Sequence, residues 1–239
     1  MSARAAGAVA RWAAVRRFGR PRTGVALGVL MLGSLTASAA GIVGLVGDVP
    51  VWRARTALRD GARLVREGDY PLAIRTLLGV VAGRPDDARA HYYLGVAYAH
   101  LGARTAAMNQ LGDAVRLAPA DPLMHDGLGE VLRQVGERRA AVGELETAAR
   151  LGPDEPRYRV HLAGALLEAG DAAGAVARLR EAARLEPRSA EIRLLLATAL
   201  RRAGERRAMT LEYREAGRLA AGGPLGEVAK LELEERNTP

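Results

Sequence analysis

The sequence predicts an all-α fold: a solenoid of five helix-turn-helix units closed by a C-terminal capping helix and preceded by one transmembrane helix. Three observations predict it. Gly68, Gly102, Gly136, Gly170 and Gly204 fall 34 residues apart, and Pro85, Pro119, Pro153 and Pro187 keep the same period. Such self-similarity marks stacked structural units. With one Phe and 4% aromatics in 239 residues, the core must be built from Ala, Leu and Val, in a chain otherwise rich in helix formers. Finally, residues 23–47 carry no charge at all.

The N-terminal elements follow from charge and hydropathy. Residues 1–22 form a basic leader with Arg4, Arg11, Arg16, Arg17, Arg20 and Arg22. The 25 uncharged residues 23–47 would make a helix of roughly 37 Å, enough to cross a ~30 Å hydrocarbon core. Six Arg before the span hold the N-terminus in the cytoplasm and send the body of the chain across. This reading is a signal anchor in a bacterial inner membrane; the Arg-rich, Lys-poor, Ala- and Gly-rich composition is that of a GC-rich genome. Its rival is a cleaved signal peptide, because Val25–Leu35 is followed by Ala37-Ser38-Ala39, an A-x-A site, which would release a secreted soluble protein. Small residues four apart, Gly24/Gly28, Ala37/Gly41 and Ala40/Gly44, would let two spans pack as a homo-oligomer. Residues 48–53, with Asp48 and Pro50, read as a linker.

The charge distribution excludes one class of partner. No acid occurs through residue 47, whereas the rest of the chain holds 29 basic and 27 acidic side chains. The basic excess is therefore local, and the nearly neutral body has no field that would bind a phosphate backbone. The sequence lacks Cys altogether, so no disulfide, thiol nucleophile or Cys-ligated metal enters.

Each unit of the body follows from its recurring residues. A first helix of about 14 residues ends at the Gly, which accepts the left-handed conformation of a helix C-terminus. In the second helix Ala73, Ala107, Ala141 and Ala175 allow close approach, and Leu77, Leu111, Leu145 and Leu179 follow one turn later as core knobs. Ala114, Ala148, Ala182 and Ala216 recur in the same register, and Pro then stops the helix. One unit alone cannot bury its apolar stripe, but stacked neighbours can.

These residues resemble the tetratricopeptide repeat family, with units at 54–87, 88–121, 122–155, 156–189 and 190–223. Leu94, Gly95, Tyr98, Gly102, Ala107, Leu111, Ala114 and Pro119 make 88–121 the best match. The resemblance implies a right-handed α-solenoid and covers about 170 of 239 residues. The family's first-helix Trp is replaced by Ala57, His91, His125, Arg159 and Arg193, and the fifth unit has Met209 and Tyr213 where Ala and Leu are usual and Ala221 in place of Pro. That erosion suits an end unit, and residues 224–239 read as its capping helix and tail.

The residues point to binding rather than catalysis. Phosphate loops, HExxH, GxSxG and kinase signatures are absent, so neither enzyme chemistry, cofactor nor metal is expected. His91 and His125, 34 residues apart, occupy equivalent places and would face each other across adjacent first helices. Two imidazoles without a third ligand make a poor metal site, so packing is expected of them. Asp126 and Glu130 form an i,i+4 carboxylate pair with Arg133 one turn on, which reads as a solvated or Arg-paired face. The family resemblance implies that the first helices line a concave groove for protein or peptide segments, carried here by Arg55, Arg59, Tyr92, Tyr93, Asp126, Glu130 and Arg133. It also implies a membrane-anchored, extracytoplasmic scaffold that assists assembly, translocation or maturation of envelope proteins. The chaperone-tail ligand of some family members is not expected, because the Lys and Asn that hold it are here Leu58, Ala62 and Tyr93.

Overall fold

In a computed structural model the described residues are 51–234, and among them the chain is helical apart from short turns. Five helix pairs stack in order: α1 (Val51–Glu67) with α2 (Tyr70–Gly83), α3 (Ala88–His100) with α4 (Arg104–Leu117), and α5 (Pro122–Val135) with α6 (Arg138–Leu151). Next come α7 (Pro156–Ala169) with α8 (Ala172–Leu185) and α9 (Ala190–Arg202) with α10 (Arg206–Leu219); α11 (Pro224–Glu234) closes the stack. The expected leader, transmembrane span and cleavage site lie outside the described residues. Among the described residues no helix is long and apolar enough to cross a membrane. Helix α1 begins at Val51, inside the expected linker 48–53. No Gly or Pro follows Pro50 there, and Pro is well suited to the start of a helix.

The joints behave as the period predicts. All five recurring glycines adopt left-handed conformations, with φ of 84°, 73°, 89°, 91° and 80° in chain order. Three of the four turns between units carry a side-chain cap for the next first helix, and Glu155 at the fourth makes no such bond. Asp87 accepts from the Arg89 and Ala90 amides, Asp121 from the Leu123 amide (3.0 Å), and Ser189 from the Ile192 amide (3.3 Å).

Packing within a pair is a knob in a slot. Leu77, Leu111 and Leu145 are fully buried, and each enters the facing first helix at a glycine. A Cβ on Gly61, Gly95 or Gly129 would come within 2.5–2.6 Å of the corresponding leucine side chain. Ala163 and Ala197 stand at that place in the last two units, where Leu179 and Tyr213 are the knobs. Met209 and Tyr213 fill the fifth unit's core, and Leu225, Val228 and Leu233 of α11 pack over it. The unusual residues of that unit therefore make a larger apolar end for the cap to cover.

The position that lacks the family's Trp holds a polar clamp instead. His125 reaches the Pro119 carbonyl through Nε2 (3.0 Å) and Glu144 through Nδ1 (2.7 Å). His91 repeats this with the Pro85 carbonyl (3.0 Å) and the Gln110 amide (2.9 Å). Arg159 bridges the Pro153 carbonyl and Glu181, and Arg193 bridges the Pro187 carbonyl and Glu212. Each clamp ties a first helix to the turn before it and to its own second helix. The two histidines thus do not face each other as the spacing suggested; each turns back into its own joint, onto the carbonyl of the preceding Pro.

Candidate functional site: the inner face of the stack

Successive first helices meet along one side: α1 touches α3, α3 touches α5, α5 touches α7, and α9 touches α11. The inner face is therefore made of first-helix side chains. It divides into a middle cross-linked between units and a more open N-terminal end.

In the middle, Asp126 on α5 is only 6% exposed, and His161 of α7 donates to it from Nδ1 at 2.6 Å. Arg133 donates to both oxygens of Glu130 (2.6 and 3.1 Å) and also pairs with Glu168 on α7. Those bonds, with Glu130 first, hold the Arg133 guanidinium firmly in its charged form. Of the solvated or Arg-paired face expected for the i,i+4 carboxylates, the Arg pairing holds for Glu130 with Arg133, and neither carboxylate is solvated. One is buried against a histidine, and both belong to bridges that fasten the third unit to the fourth. Near them Arg157 lies 4.7 Å over the Tyr158 ring and donates to its hydroxyl (2.8 Å).

Tyr92 belongs to the same packed zone. Its ring covers Gly127, where a Cβ would come within 2.7 Å of Cε2, so the glycine makes the ring's bed. Burial, and then the charge of Asp126, push the Tyr92 phenol up from its ordinary value. Tyr93 stands edge-on to it, with ring centroids 5.2 Å apart.

The N-terminal end is different. A cavity of about 500 Å³ is lined by Leu58, Arg59, Ala62, Arg66, Arg89 and Tyr93 together with Thr56, Asp60 and Arg63. Arg63 is occupied by Glu67 (2.9 Å) and Asp60 (3.7 Å). Arg59, Arg66 and Arg89 are exposed and have no acidic partner among the described residues. Arg55 also belongs to α1, but its side chain lies outside those described.

The seven expected groove residues thus separate. Arg59 and Tyr93 line the open cavity, whereas Tyr92, Asp126, Glu130 and Arg133 are engaged in the packed middle. Sequence reasoning missed Arg89, His161, Arg157 and Glu168. Arg89 stands 34 residues after Arg55 and was legible from the period; the middle bridges join residues 35 apart, Asp126 to His161 and Arg133 to Glu168. A search at one residue beyond the repeat would have found both. At the far end Arg201 pairs with Glu232 of α11, which is 3% exposed, so the cap occupies the last unit's inner arginine.

A stack of 34-residue helix pairs with an inner face of this kind is a protein–protein interaction scaffold. The chain belongs to the tetratricopeptide repeat family: one family model matches residues 54–122 and 127–177, and a second matches 166–208. Among solved structures it is similar to MamA AMB-1, at 22% identity with a TM-score of 0.63, covering 72% of this chain and 100% of that one. MamA from Desulfovibrio magneticus RS-1, residue 41 to its end, gives 19% and 0.61 over 78% of this chain and 98% of the other. MamA MSR-1 gives 23% and 0.59 over 70% and 96%. At these identities the likeness is one of fold. No curated protein matches the chain.

Proposed function

We propose that this protein is a non-enzymatic docking scaffold, anchored by residues 23–47 with its N-terminus in the cytoplasm and its repeats outside a bacterial inner membrane. There its inner face gathers segments of envelope proteins during their assembly, translocation or maturation. One observation carries the binding part: a cavity about 500 Å³ in volume is left open on the inner face while the neighbouring units cross-link theirs. The anchoring part is supported by the sequence, in which six Arg precede an uncharged 25-residue stretch. An anchor raises the effective concentration of the scaffold toward anything else confined to that membrane.

Protease treatment of intact spheroplasts carrying a C-terminally tagged chain tests the topology. Digestion of the tag from outside, with full-length mass in the membrane fraction, is the expected result. A tag protected until the membrane is broken would place the repeats inside and overturn the orientation. A soluble product ending its leader at Ala39 would establish the secreted form that the Ala37-Ser38-Ala39 site allows.

A further inference from the structure

We infer that the outer ridge of the last two units rests on an anionic phospholipid surface, with Arg180, Arg184, Arg207, Arg214 and Arg218 on the lipid phosphates and Leu211 at the acyl boundary. The inference rests on the anchoring in the proposed function, which supplies the membrane, and goes beyond it by giving the repeats a second face with its own ligand.

The first argument is the sorting of charge. In α10, Met209, Tyr213 and Ala216 are buried. Residues 207, 211, 214 and 218, spaced four, three and four apart, share the opposite face and are all exposed. One repeat earlier, the equivalent places on α8 are 173, 177, 180 and 184, again all exposed. Those eight positions hold five Arg and no acid, whereas the twelve equivalent positions of α2, α4 and α6 hold four Arg and one Glu. The body is nearly neutral in sum, yet cations gather at this ridge. Arg180 pairs with Glu205 (3.0 Å) and Arg218 with Glu215 (2.7 Å), while Glu212 is drawn to Arg193 on α9 (2.9 Å). Arg184, Arg207 and Arg214 have no carboxylate among the described residues. Guanidinium groups left without acids repel one another, and phosphates remove that repulsion while accepting charge-assisted, often bidentate bonds.

The second argument fixes the kind of anion. Leu211 stands between Arg207 and Arg214, one turn from each, and at 62% exposure is the most exposed large apolar side chain among the described residues. A nucleic-acid backbone offers such a side chain only charge and water. The headgroup boundary of a bilayer instead accepts an aliphatic group between cations, with the arginine stems lying along it and their heads at the phosphates. Lipid headgroups also impose no fixed spacing, which suits cations spread over two helices.

The third argument is reach. The proposed anchor ends at residue 47 and α1 begins at Val51, so residues 48–50 give a tether of at most ~11 Å. The first unit is thereby held near the headgroups, and contact at α8 and α10 fixes the far end, laying the stack along the membrane. A second copy would bring its exposed acids Asp86, Glu137, Glu146 and Glu191. These stand apart on different turns and helices, so each meets one cation rather than the group.

The chain lacks Cys, so Ala177→Cys carries a fluorophore on the ridge, and Gln134→Cys, one turn after Glu130 on α5, carries one on the inner face for comparison. The full chain is reconstituted into phosphatidylcholine vesicles with and without phosphatidylglycerol, all doped with lipid bearing a headgroup nitroxide. The ridge label should be quenched only where phosphatidylglycerol is present and released by high salt, and the inner label should stay bright. Loss of Arg184, Arg207 or Arg214 to Ala should each lower the docked-to-free ratio by about fivefold. Leu211→Ser should weaken docking while leaving its salt dependence unchanged. R207E/R214E should abolish the quenching with unchanged helical circular dichroism, because neither arginine has a partner to lose. Alkaline carbonate washing of the same vesicles reads the anchor separately. A retained chain whose ridge label is quenched equally in both vesicles, or in neither, overturns the inference and leaves the anchor standing. A released chain whose ridge label is quenched only with phosphatidylglycerol supports the ridge and overturns the anchor. Two other occupants would overturn the inference as well: duplex DNA bound by the chain, or self-association in sedimentation, that R207E/R214E abolishes while the ridge label stays bright on phosphatidylglycerol.

Discussion

The N-terminal and middle parts of the inner face are built from the same helix positions and reach opposite electrostatic states. In the third and fourth units, Asp126 meets His161 and Arg133 meets Glu168 across neighbouring first helices, so Asp126, Glu130 and Arg133 are used in joining helices. In the first and second units the same face offers arginine on arginine across an apolar floor. A repeat fold therefore separates two tasks along its length: one stretch keeps neighbouring units in register, and the other stays available to something outside the chain. The lesson is that position within the repeat places a residue on the inner face, but its use depends on what the adjacent unit puts opposite it.

The comparison breaks most severely if the middle loses its core. Leu145→Ala should cost about 2–5 kcal/mol by removing a fully buried knob from the Gly129 slot; urea unfolding followed by circular dichroism would measure it. Asp126→Ala should come next, at about 2 kcal/mol, because the 2.6 Å bond to His161 in a nearly closed site is lost. A value near zero there would mean the middle is held by apolar packing alone.

Alkaline titration sharpens the picture of the packed middle through Tyr92. The folded protein holds the Tyr92 phenol above its ordinary value of 10.0, so the native state retains a proton that the unfolded chain releases. Stability contributed in this way is complete below pH about 10 and falls as pH rises past it. Tyr92→Phe should flatten that decline in a melting series run above pH 10. Smallest of all should be the effect of Arg59→Ala, Arg66→Ala or Arg89→Ala on folding, within about 0.5 kcal/mol as for unpartnered surface residues. The same denaturation assay checks this, and a loss as large as that of Asp126→Ala would show these arginines to be structural.

Much of the fold was legible in the sequence. The 34-residue period alone located the joints, since each recurring Gly needs a conformation that other residues resist, and it located the Ala and Leu that meet inside each pair. The site was legible only by half. Arg59 and Tyr93 were read as groove residues and line the cavity, but Tyr92 was hidden by what Gly127 lacks: a missing side chain in the next unit draws the ring down onto the helix. Likewise His91 and His125 looked like a facing pair, because a one-dimensional period gives equivalent places without giving direction. Their direction is fixed by contacts on both sides, with the Pro85 and Pro119 carbonyls behind and Gln110 and Glu144 on the partner helices.

Those clamps have a consequence for how such a chain can change over time. Every first helix from the second unit onward fastens sideways to its own partner helix and backward to the Pro carbonyl near the end of the preceding unit, so each clamp needs only a Pro that recurs in every block before it. Duplication or loss of one such 34-residue block would carry its rung along and leave the remaining rungs intact. The platform can thus lengthen or shorten in fixed steps, while the arginine-rimmed end and the capped end keep their separate characters.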